Sequence, residues 1–170
     1  MKKKAVKDYI TDALFELLKT KPLNEITATE VISKAGVCRS SYYRNYYLLE
    51  DIIRQYAARI FQRMTLEHTV EQSDPISHMT YIYECYLQER ERLTVLDKQG
   101  LLYLLEDSLY DHCMEQIISL GKFHTRYQVD FFAGASTYLI RAWIHNGFLE
   151  SPLEMAQISY KYIKWDDFRG

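Results

Sequence analysis

The chain has 170 residues, enough for one large domain or for a small domain joined to a medium one, with no disulfide or metal staple needed. Its 48% hydrophobic and 26% charged residues place it among globular proteins, and 6 Gly with 3 Pro argue against loop-rich or strand-rich architectures. Net charge is only −2, yet residues 1–63 hold 12 Lys+Arg against 7 Asp+Glu (+5), and the remainder holds 9 against 16 (−7). A basic front and an acidic back suggest one end that meets phosphate and another that does not. Cys38, Cys85 and Cys113 are widely spaced without a CxxC, so neither a zinc site nor a disulfide framework is indicated. The start MKKKAVKDYI lacks the apolar run of a signal peptide, and no stretch approaches the ~18 apolar residues of a membrane span. The expectation is a cytoplasmic chain with no membrane partner.

The pattern is helical almost throughout, so the expected fold class is all-α. Ile10, Leu14, Leu17 and Leu18 recur at helical spacing, and this first helix should stop near Lys21-Pro22. Asn24 and Glu25 fit a short turn. Thr27-Ala28-Thr29-Glu30 matches a capping box, with Ile26 as its hydrophobic staple. Gly36 suits the left-handed end of the following helix, and Val37 follows as an apolar plug. A short helix is expected over about 39–46. A longer one starts near Glu50, with Ile52, Ile53, Tyr56, Ala57, Ile60, Phe61 and Met64 inward. Ser73-Asp74-Pro75 marks the clearest internal start. Helices are then expected at 75–90 and 102–119, with a shorter or irregular piece around 92–98 and a break at Gly121. A long helix at 126–146 should end at Asn146-Gly147, and Ser151-Pro152 should open the last.

Two short helices joined by a glycine turn and preceded by a longer helix are the elements of a helix-turn-helix DNA reader. Arg39, Ser40, Ser41, Tyr43, Arg44 and Asn45 crowd the second short helix with hydrogen-bonding groups. Arginine can pair with guanine, asparagine with adenine and serine with either. Tyr42 and Tyr46, at i and i+4, should face inward. The helix N-termini at Thr27, Arg39 and Glu50 offer N–H groups to phosphate.

The stretch ITATEVISKAGVCRSSYYRNYYLLEDII, residues 26–53, resembles the signature of tetracycline-repressor-like (TetR family) regulators. The resemblance covers residues 5–55 at motif level and is architectural beyond. It implies a DNA-binding domain at 1–55 and a helical regulatory and dimerisation domain at 56–170. It also implies a homodimer on a palindrome-like operator, joined through about 126–164, with a C-terminal domain that senses a small organic ligand. Carried over by position, its DNA contacts fall on Thr27 and Thr29 in the scaffold helix. In the recognition helix they fall on Arg39, Ser40, Ser41, Tyr43, Arg44 and Asn45. Tyr43 matches the family's phosphate-contacting tyrosine, and Arg39 is the first candidate for base readout. Two departures stand out. Cys38 replaces the usual capping serine, and Tyr47 and Leu49 stand where lysines often contact phosphate, a loss that weakens salt-dependent affinity. Lys2, Lys3 and Lys4 offer a basic arm in partial compensation.

In the C-terminal half, Phe131, Phe132, Ala135, Tyr138, Leu139, Ala142 and Trp143 give one helix a wide apolar face, with Gly134, Ala135 and Ser136 small enough for close approach. Leu153, Met155, Ala156, Ile158, Tyr160, Tyr162 and Ile163 line the last helix. His78, Tyr81, Tyr83, Tyr86, Tyr103, Tyr110, His112 and His124 are candidate walls for a ligand pocket. Each also fits plain core packing. His112 and Cys113 point to different helix faces, which argues against a metal pair. No nucleophile–base set, phosphate loop or metal-ligand spacing indicates an enzyme or a cofactor. The two functional expectations are a homodimeric repressor released by a small molecule, and a regulator whose C-terminal body binds a protein partner as an activator or co-regulator.

Overall fold

The structure, a computed structural model, describes residues 5–67, 74–120 and 125–163, without the side chains of 65–67, 112–120 and 163. Lys2, Lys3, Lys4, Ser73, Gly121 and His124 lie outside the described residues, as do the side chains of His112, Cys113 and Ile163. Among the described residues the fold is all-α, with nine helices, one 3-10 turn and no strand.

The first three helices form a small unit. α1 (Val6–Leu18) buries Ile10, Leu14 and Leu18 on one stripe at spacing i, i+4, i+8. It ends before Pro22, as the sequence predicts, and a 3-10 turn occupies Leu23–Glu25. α2 (Ala28–Ala35) packs on α1, and α3 (Arg39–Tyr43) follows Gly36. α3 is shorter than the 39–46 expected: residues 44 and 45 form a turn, and Tyr46 drops into the core.

α4 (Leu49–Glu67) belongs to both halves of the molecule. Its inner face is the expected one, Ile52, Ile53, Tyr56, Ala57, Ile60, Phe61 and Met64 all being buried. Midway along it grips α1: Arg59 donates to the Asp8 carboxylate and the Thr11 hydroxyl, each at 2.9 Å. Further along, the Phe61 ring meets Tyr86 edge-on at 6.4 Å. The expected division between residues 55 and 56 therefore falls within a continuous helix.

The larger body consists of α5 (Pro75–Gln88), α6 (Arg90–Lys98), α7 (Tyr103–Leu120), α8 (Arg126–His145) and α9 (Pro152–Ile163) around the far half of α4. α5 runs along α9, α7 lies against α4 and α8, and α6 bridges α1 and α8. The shorter or irregular piece expected around 92–98 is a short regular helix, which Leu93 and Leu96, at i and i+3 and both 0% exposed, anchor. Caps match local chemistry. The Asp74 carboxylate accepts from the Ile76 and Ser77 amides at 3.0 and 3.1 Å, and Ser151 with Glu154 closes a reciprocal box. Thr125 and Gln128 form a box at the start of α8 that the sequence reading passed over.

The end of α8 carries an outlier. Gly147 and Phe148 both have positive φ, 76° and 61°. For a bulky residue the left-handed region costs roughly 1–2 kcal/mol. Burial offsets it: the Phe148 ring packs edge-on to Trp143 at 4.8 Å, and the Arg90 guanidinium lies 5.5 Å above it.

Candidate nucleic-acid interface

α2 begins with the predicted capping box. The Thr27 hydroxyl accepts the Glu30 amide at 3.3 Å, and the Glu30 carboxylate accepts the Thr27 amide at 2.8 Å and its hydroxyl at 2.9 Å. Lys21 also pairs with Glu30. The Lys21 hydrogen bond first, then those from Thr27, push the Glu30 carboxyl down to about 2. Thr27 and Thr29 both face solvent. Gly36 ends the helix with φ 64°, its amide bonding the Ile32 and Ser33 carbonyls, while Val37 bonds back to Ile32 at 3.3 Å.

Cys38 opens α3 in extended conformation but gives its first turn no side-chain cap. Its sulfur instead sits 3.2 Å from the Ser40 hydroxyl and 3.0 Å from that of Ser41. These two hydroxyls, Ser40 first, pull the thiol down to about 7. Both recognition-helix serines are thereby drawn toward the sulfur. The helix start is a thiol–hydroxyl cluster.

Arg39, Ser40, Tyr43 and Arg44, at i, i+1, i+4 and i+5, form one exposed stripe, with Tyr43 52% exposed. Tyr42 and Tyr46 point inward as expected, 0% and 1% exposed, their ring centroids 5.9 Å apart. The Tyr42 hydroxyl has no hydrogen-bond partner among the described residues. Burial, and then the neighbouring Tyr43, holds its pKa above the ordinary tyrosine value.

Ser41 and Asn45 are half-buried. The Asn45 amide donates to the Ser41 carbonyl at 2.7 Å, so the side chain closes the helix end rather than projecting from it. From behind, Gln55 on α4 donates to the Asn45 carbonyl at 3.1 Å and accepts from Lys7 on α1 at 2.9 Å. This brace was missed in the sequence, since neither Lys7 nor Gln55 belongs to a local motif.

At the next corner the Asp51 carboxylate accepts the amides of Tyr47 and Leu48, at 3.2 and 2.9 Å. The helix start expected to greet phosphate at Glu50 is thus partly occupied by the protein's own anion.

The candidate ligand walls separate. Tyr83 and Tyr86 are core residues, Tyr83 sharing a 2.5 Å hydrogen bond with Ser159, and Tyr103 is 50% exposed. His78 and Tyr81 are half-buried on α5. A small cavity beside Phe61, Tyr86 and Ile140 holds 20 Å³, room for one water. A larger open groove of 520 Å³ runs between α7 and α8, past Asp107, Tyr110, Asp130, Thr137 and Tyr138. There the Tyr110 hydroxyl donates to Asp130 at 2.7 Å. No cluster of metal-binding side chains and no membrane-crossing helix occurs among the described residues.

The capped α2, the Gly36 turn and the polar α3, set on an all-helical body, have the fold of TetR-type transcriptional regulators. The chain is similar in structure to a TetR transcriptional regulator from Streptococcus agalactiae 2603V, with a TM-score of 0.63, 15% identity and 93% of each chain covered. It is similar also to the dihydroxyacetone kinase operon activator DhaS, with a TM-score of 0.62, 10% identity and 95% of each chain covered. No protein-family model matches the sequence, and no curated protein does.

Proposed function

We propose that this chain is a sequence-specific DNA-binding transcriptional regulator, a homodimeric repressor that a small-molecule ligand releases from its operator. The observation that carries the reading is the exposed stripe Arg39, Ser40, Tyr43 and Arg44, presented by a braced helix on the basic half of the chain. In this reading Arg39 and the two serines address base edges, while Tyr43, Arg44, Thr27 and Thr29 position the backbone. Asn45, turned onto Ser41, acts by shaping the helix end.

Dimerisation is supported by the outer face of α8. Tyr127, Phe131, Gly134 and Tyr138 follow the 4-3-4 spacing of a helix seam, and the three aromatics are 83%, 63% and 71% exposed. A Cβ at Gly134 would meet nothing within 4 Å in the described residues. Leu153 and Tyr162 on α9 are also exposed. Two readers joined there would address major grooves about 34 Å apart. In this reading the ligand occupies the α7–α8 groove, whose volume lies in the range of small-molecule sites and whose wall shares Gly134 and Tyr138 with the seam, so that ligand and partner meet at one face.

The test is selection of duplexes from a random pool, followed by mobility shift over a salt series. The expected product is a palindrome-like site bound by two chains, with binding lost on Arg39→Ala. Failure to retain any duplex in a salt-sensitive, sequence-dependent complex overturns the reading.

A second reading keeps the DNA reader but gives the body a protein partner and an activating role. The small size of the 20 Å³ cavity beside Phe61 and the likeness to a protein described as an operon activator support it. Transcription from a promoter carrying the selected site separates the two: repression favours the first, stimulation the second.

A further inference from the structure

We infer that Tyr47 and Leu48 form an apolar wing of the DNA interface, packing against deoxyribose beside the recognition helix and adding affinity that salt does not screen. The inference rests on the DNA-binding reading above. Tyr46 is sunk in the core at 1% exposure, and the next two side chains emerge from it, 89% and 58% exposed. Either alone would be unexceptional. Here the two are adjacent and stand on the turn that follows α3, four and five residues after Tyr43.

Their backbone is held. The Asp51 carboxylate grips both amides, and the Asp51 amide returns to the Leu48 carbonyl at 3.3 Å. A pre-ordered exposed aromatic loses little freedom on binding, which is the property of an interface anchor. The charge around it is wrong for phosphate. Residues 45–53 contain Glu50 and Asp51 but no Lys or Arg, and the Arg54 guanidinium is turned to Asp51 at 3.5 Å. The amides that would otherwise draw an anion are taken. The uncharged element of a DNA backbone is its sugar, and that is the surface an apolar wing fits.

The experiment uses a duplex recovered by the wild-type chain from a random pool, with fluorescence anisotropy across about 50–200 mM salt. The double variant Tyr47→Ala with Leu48→Ala is expected to bind about tenfold more weakly at every salt, with the slope of log affinity against log salt unchanged. Tyr47→Phe should keep wild-type affinity. Tyr47→Lys should steepen the slope by about 0.9, as one added phosphate contact does. Both side chains are exposed, so thermal melting controls for folding. Wild-type affinity in the double variant, or a slope shallower by about 0.9, overturns the inference. A wild-type chain that binds no duplex instead overturns the DNA-binding reading itself, before any variant is compared.

Discussion

The guanidinium of Arg92 pairs with the carboxylate of Asp12, 80 residues earlier in the chain, and so fastens α6 to α1. The same guanidinium lies 5.3 Å above the Phe15 ring and 5.2 Å above that of Tyr56. Glu89 completes the cluster, accepting from the Tyr56 hydroxyl at 2.8 Å. Arg92→Ala should cost about 1–2 kcal/mol in urea unfolding, given a partly exposed ion pair and two stacked rings. Arg92→Lys should recover less than half of this, because an ammonium has no flat face to stack. An unchanged unfolding midpoint for the alanine variant would remove the cluster from any structural role.

Tyr42→Phe deletes a buried hydroxyl that has no hydrogen-bond partner among the described residues. The variant should be more stable by about 1 kcal/mol, since an unsatisfied buried polar group costs that order of free energy. Tyr43→Phe, at the exposed neighbouring position, should leave stability unaltered and weaken DNA binding. Chemical denaturation of the pair checks the contrast, and destabilisation of Tyr42→Phe by a similar amount would mean the hydroxyl is satisfied after all.

The Glu30 carboxyl lies far below its ordinary 4.5 in the folded chain, at about 2. A depressed folded value means that the carboxylate stabilises the fold above the unfolded value, and that this contribution fades as pH falls toward the folded one. Glu30→Gln keeps the capping geometry and removes the charge. Its stability deficit relative to wild type should therefore be constant from neutral pH to about pH 5 and close between about 4.5 and 2. Thermal melts of both proteins over that range measure it, and a deficit independent of pH would contradict the assignment to Lys21 and Thr27.

With its thiol at about 7 instead of 9.0, Cys38 should react with iodoacetamide along a profile centred near neutrality. Cys85, 1% exposed, should react far more slowly in the folded chain. Peptide mapping by mass spectrometry across pH reads both. A Cys38 midpoint near the ordinary thiol value would mean that the Ser40 and Ser41 hydroxyls do not hold the sulfur.

Because a Cβ at Gly134 meets nothing within 4 Å, Gly134→Ala should stabilise the isolated fold by about 1 kcal/mol through helix propensity. Gly134→Trp should leave the fold intact and disrupt pairing along the α8 seam. Analytical ultracentrifugation should show the tryptophan variant as a monomer under conditions where wild type is a dimer. A tryptophan variant with wild-type self-association would exclude the seam.

The reader unit was legible because its signals are local. A capping box, a glycine that must take positive φ and an i, i+4 tyrosine pair lie within 20 residues, and each has a short-range cause. What escaped was set by contacts distant in sequence. Gln55 on α4 and Lys7 on α1 together brace the Asn45 backbone carbonyl, and no local motif announces either residue. The stretch around 92–98 reads as a shorter or irregular piece, and it is the burial of Leu93 and Leu96 that decides for a short helix. The groove between α7 and α8 has no sequence signature, since side chains on two separate helices line it.

A last consequence follows from the unbroken course of α4. Since Gln55 and Arg59 serve the reader while Phe61 serves the body, no cut near residue 55 yields two self-sufficient pieces. A chimera that grafts α1–α3 onto another body must carry α4 through to Glu67 and rebuild the partners of its far half. A graft ending at residue 55 leaves α1 without Arg59 to hold it. Exchange of segments between chains of this fold is then expected to succeed at the end of this shaft and to fail within it.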